Sequence, residues 1–194
     1  MNKIKQEKMK ENKAEMALPL LQATITYPEN LGEGKLPNVP DNEAYYYMGR
    51  AYQMLHKEEK AKEAFLMAAS GPQKPEPVLY YNDQPSDFIF YQGLANEALG
   101  NTSAALRAYH QLIIYGEKHV FDKVGYDFFA VSLPEIEVYQ DDIQLRNEQY
   151  CNYLRALGDL GINKNDEAKK LLDGIIAKQK DYQEAIAHLN FARI

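Results

Sequence analysis

The chain has no tryptophan and only one cysteine among its 194 residues. A single thiol, Cys151, excludes an internal disulfide and any zinc site built on clustered cysteines. A reactive thiol needs an electropositive setting. Cys151 stands among Tyr150, Tyr153 and Leu154 in a segment of helical pattern, and reads as a packed structural group. Positive charge is also short. The formal net charge of -6 argues against nucleic acid as a partner, because phosphate contacts need a basic face. No apolar run reaches the roughly 18 residues of a membrane-spanning helix, so no membrane partner is expected. The lysine-rich start is followed by a segment, Met16 to Ile25, that Pro19 and Gln22 interrupt, which does not read as a secretory signal. The default expectation is therefore a cytoplasmic location.

Motifs that carry chemistry are missing too. There is no glycine-rich phosphate loop and no serine elbow. His56, His110 and His188 are isolated, and Glu117, His119 and Asp122 have no second histidine at helical spacing, so no metal site is expected. Glu135, Glu137, Asp141 and Asp142 form an acidic cluster without fixed spacing, and Asp141-Asp142 directly precedes a helical pattern, which capping explains. No catalytic residue and no cofactor follow from these patterns. The isolated chain is not expected to be an enzyme.

What is present is tyrosine, with 15 copies against 7 phenylalanines, and a repeat. In one copy Tyr45, Met48, Gly49 and Tyr52 are followed by Ala61, Phe65 and Ala68. A second copy has Ile89, Gln92, Gly93 and Asn96, then Ala105, Tyr109 and Leu112. A looser third has Ala156, then Ala168, Leu172 and Ile175. Two small residues twelve places apart let the helices of a hairpin approach closely, and the large residues around them fill the seams. That is the logic of tetratricopeptide units of about 34 residues. The expected fold is all-α: a right-handed superhelix of three tetratricopeptide-like helix hairpins with two inter-repeat insertions.

The pattern predicts helices over 14–26, 42–55, 58–70, from 85 or 86 to 99, 101 or 102 to 115, 142–160, 166–178 and 181–192. Asp41, Asn101 or Thr102, the Asp141-Asp142 pair and Asp181 are the expected caps of four of them. Residues 1–13 read as a charged, frayed extension, and 14–194 as a single domain. The first helix resembles the second half of a hairpin whose first half is missing. This predicts that the chain is the C-terminal piece of something longer, or that it self-associates through that helix. The repeats are spaced unevenly. Against a unit of about 34 residues, the spacings leave insertions of roughly 10 and 29 residues, over 73–85 and 116–144.

Several segments carry a family resemblance: Tyr27 to Gly34, Tyr80 to Pro85, Tyr115 to His119, Asp127 to Pro134 and Arg146-Asn147-Glu148. They resemble the C-terminal tetratricopeptide region of large bacterial proteins, common in gut Bacteroidetes, that form a domain family of unknown function. In that family the N-terminal part looks like a β-sandwich of the kind found in carbohydrate-active proteins, and this chain lacks it. The resemblance implies a module that binds a protein, a peptide or another domain of its parent chain. Its alternative is an accessory domain shaping the substrate cleft of a carbohydrate-active enzyme.

By position within the unit, the binding face is expected to present Glu43, Tyr46, Arg50 and Gln53 from the first repeat. Asp87, Phe90, Leu94 and Glu97 follow from the second, and Tyr150, Tyr153, Leu157 and Leu160 from the third. Tyr46, Phe90 and Tyr153 would form an aromatic column able to grip a peptide, a sugar face or the second insertion. Tyr81, Asn82 and Asp83 of the first insertion would add polar groups beside it. Of Tyr45, Tyr46 and Tyr47, only Tyr46 is expected to see the face, because consecutive helical residues point in different directions.

Overall fold

A computed structural model describes residues 2–32, 34–36, 39–76, 83–125 and 142–191, with side chains from residue 12 onward. Its described residues are all-α, with eight α-helices and no strand. These are α1 (Asn2–Thr24), α2 (Asn42–Met54), α3 (Glu58–Ala68), α4 (Phe88–Ala98), α5 (Thr102–His119), α6 (Ile143–Gly161), α7 (Asn165–Lys178) and α8 (Gln183–Leu189). A short 3-10 turn, Glu29–Leu31, follows α1. The chain groups into two compact units, 1–111 and 112–194, with the boundary inside α5.

The charged start is helical, so α1 begins a dozen residues earlier than its apolar pattern predicts. Ala14 is buried and Ala17, Leu18, Leu21 and Ile25 are partly covered, while Leu20 is 71% exposed. Two of the expected caps, Asp41 and Asp181, also change. Asp41 stands at the start of α2, but its carboxylate pairs with the Lys35 ammonium, which also donates to the Ile25 carbonyl at 2.9 Å. Asp181 lies one residue too early, and Tyr182 takes the capping place of α8 without a side-chain bond. Asp142 caps α6 by accepting from the Leu145 N–H at 2.9 Å.

Three helix–turn–helix connections share one turn. His56, Gly100 and Asn163 stand at equivalent places and all have positive φ, at 56°, 79° and 62°. Glycine adopts this left-handed conformation without strain, and asparagine tolerates it better than most residues. The following N–H closes each turn in the same way: Lys57 to Tyr52 at 2.9 Å, Asn101 to Asn96 at 2.7 Å, and Lys164 to Asp159 at 2.8 Å. These bonds satisfy carbonyls that a helix end would otherwise leave open.

Close approach within each hairpin rests on a small residue facing a large one. A methyl group at Gly49 would stand 2.5 Å from the Phe65 ring, and one at Gly93 would overlap the ring of Tyr109. In the third hairpin the small residue is Ala156, and the residue at the place of Phe65 and Tyr109 is the shorter Leu172. Both are fully buried, on helices that pack together. Exchanging a ring for a leucine leaves room for the alanine methyl group.

Candidate functional site

In the first unit, α2 and α4 bring four of the expected site residues near one another. Tyr46 is buried, and its ring packs on Phe65 at 6.0 Å and Tyr91 at 5.9 Å. Arg50, one helical turn on, donates weakly to the Tyr46 hydroxyl at 3.5 Å. Glu97 of α4 acts electrostatically on both Tyr46 and Tyr109. Arg50 and Glu97 are exposed and Gln53 is half-buried. Phe90 is fully buried against Tyr91 and Tyr109, with ring centres 5.6 Å and 6.1 Å away. The result is a charged rim over an aromatic floor.

The same floor carries a second polar pairing. Tyr91 donates its hydroxyl to Glu43 at 2.7 Å, while Tyr47 meets the Tyr91 ring edge-on at 5.9 Å. Burial pushes the Tyr46 and Tyr47 phenols above their ordinary value. It pushes Tyr109 still further in the same direction, with the Glu97 carboxylate adding to the effect. A buried phenol loses the hydration that would stabilise its anion. These hydroxyls therefore stay protonated at neutral pH, suited to hydrogen bonding and not to accepting a proton as a base.

The expected aromatic column needs correction. Tyr46, Phe90 and Tyr153 are 6%, 1% and 2% exposed, so all three are core side chains and not an open gripping surface. The floor aromatics pack against helix neighbours, since covering a large ring gains more than leaving it in water. Of the expected face, Glu43, Arg50 and Glu97 are the positions exposed to solvent. Tyr45 and Tyr47, expected to face elsewhere, are each half-buried beside Tyr46.

Tyr153 belongs to the second unit. Its hydroxyl lies 3.1 Å from His188 Nδ1, and its ring packs on Tyr182 at 5.5 Å. His188 Nδ1 also lies 2.8 Å from the Glu184 carbonyl, and its ring stacks on Phe191. Leu157 and Leu160 are buried, and Tyr150 is half-buried. Cys151 is buried as well. Its thiol is pushed up to about 11, first by burial and then by Asp122, so it is not a thiolate at neutral pH.

Asp83 lines a separate cavity of about 730 Å³ in the first unit, together with Lys35, Asn42, Tyr45, Met67 and Gln84. Behind that wall the buried Gln92 amide donates to the Ser70 carbonyl at 2.7 Å, the Pro72 carbonyl at 3.0 Å and Gln84 Oε1 at 3.1 Å. Tyr81 and Asn82 lie outside the described residues, as do Glu135, Glu137, Asp141 and most of the second insertion.

His119 and Asp122 pair directly, Nδ1 to Oδ2 at 2.5 Å. Among the described residues, no group of three or more His, Cys, Asp and Glu is placed to hold a metal ion. Nor is any described helix long and apolar enough to cross a membrane.

Sequence reasoning missed one set of positions. Asn42, Ser86 and Gln149 each stand seven residues before the small residue of their hairpin, and all three are buried. Asn42 donates to the Ala68 and Ser70 carbonyls, both at 2.8 Å, and Ser86 donates to the Glu76 carbonyl at 3.1 Å. The signal was available as a polar residue in every copy at a constant offset. No protein-family model matches the chain, and no solved structure matches it.

Proposed function

We propose that this chain is a tetratricopeptide-like helix-hairpin module that binds a protein or peptide through the α2–α4 face of its first unit. The observation that carries this reading is the charged rim of Glu43, Arg50 and Glu97 over a rigid floor of Tyr46, Tyr91 and Phe90. Packed rings fix the geometry of the floor, and the exposed charges select what approaches it. The shared turn at His56, Gly100 and Asn163, together with the three small–large pairs, supports the repeat assignment. The phenols stay protonated, which favours recognition over proton transfer.

The test is an affinity capture that compares the full chain with the Arg50→Glu, Glu97→Lys double variant. Both side chains are exposed, so the variant keeps the fold, and circular dichroism verifies it. Reversing two rim charges is expected to weaken a bound partner by about tenfold or more, with the largest change in association rate at low salt. Equal recovery of every partner by both proteins, or no specific partner at all, would defeat the reading.

A further inference from the structure

We infer that the open end of the α6–α7 hairpin is a second recognition site, built to receive a main-chain carbonyl of an extended peptide at Gln149. Gln149 is 3% exposed, and among the described residues its Nε2 finds no hydrogen-bond partner. It stands in the walls of two cavities of about 390 and 450 Å³ that also share Arg146 and Gln179. A buried amide donor without an acceptor has lost its hydration and gained nothing in return. Its side chain lines both cavities while the Nε2 itself is covered, so an acceptor that enters there and reaches the amide gains most.

Comparison of the hairpins says which acceptor fits. At the equivalent places, Asn42 and Ser86 both give their hydrogens to main-chain carbonyls, not to side chains. Asn42 reaches the carbonyls where α3 stops, at Ala68 and Ser70. The third hairpin runs on at that point. Ile175, the counterpart of Ala68, has its carbonyl taken by the Gln179 N–H at 2.8 Å, because α7 continues to Lys178. The helix extension thus removes the acceptor that Gln149 would use while keeping the donor buried.

The rim charges argue against an anionic ligand. Arg146 and Lys178 are set against Asp142, Asp181 and Glu184, and Lys178 is already paired with Glu148 at 2.6 Å. A neutral carbonyl meets the unpaired donor without adding to the acidic excess, whereas a carboxylate or phosphate would add to it. Tyr150 and Tyr182 border the second cavity and offer ring surface to a side chain of the same peptide. The site uses none of the residues of the α2–α4 face, so the two assignments stand or fall separately.

The experiment pans a displayed library of linear peptides on the full chain, then titrates an enriched synthetic peptide into nitrogen-15-labelled protein. The peptide is expected to shift the Gln149 side-chain amide signals and slow their exchange with solvent. Gln149→Leu is expected to weaken that peptide about tenfold, the worth of one buried hydrogen bond, while Arg50→Glu leaves it unchanged. Three results would overturn the inference. The library enriches nothing above bare beads, the peptide binds Gln149→Leu equally well, or the Gln149 amide is already protected from exchange in the free protein. The wild-type amide readout decides the matter even if the leucine variant folds poorly.

Discussion

The first and third hairpins make the same turn but solve two packing problems differently. In α2–α3 a glycine faces a phenylalanine ring, and a buried asparagine ties the open end to the last carbonyls of its partner helix. In α6–α7 an alanine stands where the glycine was and a leucine where the ring was, and among the described residues the Nε2 of the buried glutamine at the open end finds no partner. The closed end of the hairpin is therefore conserved in geometry while the open end is not. The turn needs only a few backbone hydrogen bonds and one left-handed residue. The open end depends on where each helix happens to stop.

The largest expected effect removes a ring from the first unit. Tyr109→Ala empties a fully buried site and should cost about 3–5 kcal/mol, measured by urea denaturation. Tyr46→Ala and Tyr153→Ala should likewise reduce stability, because both rings are core, and neither would be a clean binding variant.

A smaller effect tests the small–large pairing itself. Gly93→Ala should cost about 1–3 kcal/mol by forcing the Tyr109 ring aside. Combining it with Tyr109→Leu recreates the pair of the third hairpin. If the close approach is what matters, the double variant should cost less than the sum of the two single changes. Simple additivity would show that the two positions are not coupled.

The open ends should respond with opposite signs. Asn42→Leu strands the Ala68 carbonyl, leaves the Ser70 carbonyl to Gln92 alone, and should lose about 1–3 kcal/mol. Gln149→Leu removes an orphan donor and should be neutral or stabilising in the free protein. A comparable loss in both would erase the distinction between the hairpins.

The smallest effect is a pH dependence. Asp159, at the place of Tyr52 and Asn96, is nearly buried, and burial holds its carboxyl above the ordinary aspartate range despite Lys164 and Arg155 nearby. A raised folded-state value favours the protonated form. Its contribution to stability is therefore full below the unfolded value and is lost as pH rises through the folded one. Asp159→Asn should raise the melting temperature slightly at pH 7, with the gain vanishing in acid. A gain that persists unchanged at low pH would point to some cause other than the charge.

The all-helical class, the positions of most helices and the three small residues of the repeat can be read from the residues in order. Those features are local: a 3.6-residue apolar period and the steric demand of a close crossing are written in neighbouring residues. The charged start of α1 carries no apolar stripe, so its helix shows only in residue types such as lysine and glutamate that favour helices. Asp41 has the right residue type for a cap, and only the folded loop shows that its carboxylate goes to Lys35. The site was less legible. Periodicity placed Tyr46, Phe90 and Tyr153 on the expected helices, but it does not say how deep a ring sinks. Burial depends on what the neighbouring helices supply. Whether Gln149 finds an acceptor depends on the carbonyls at the end of α7, and those can reach it only through the packing of α7 on α6.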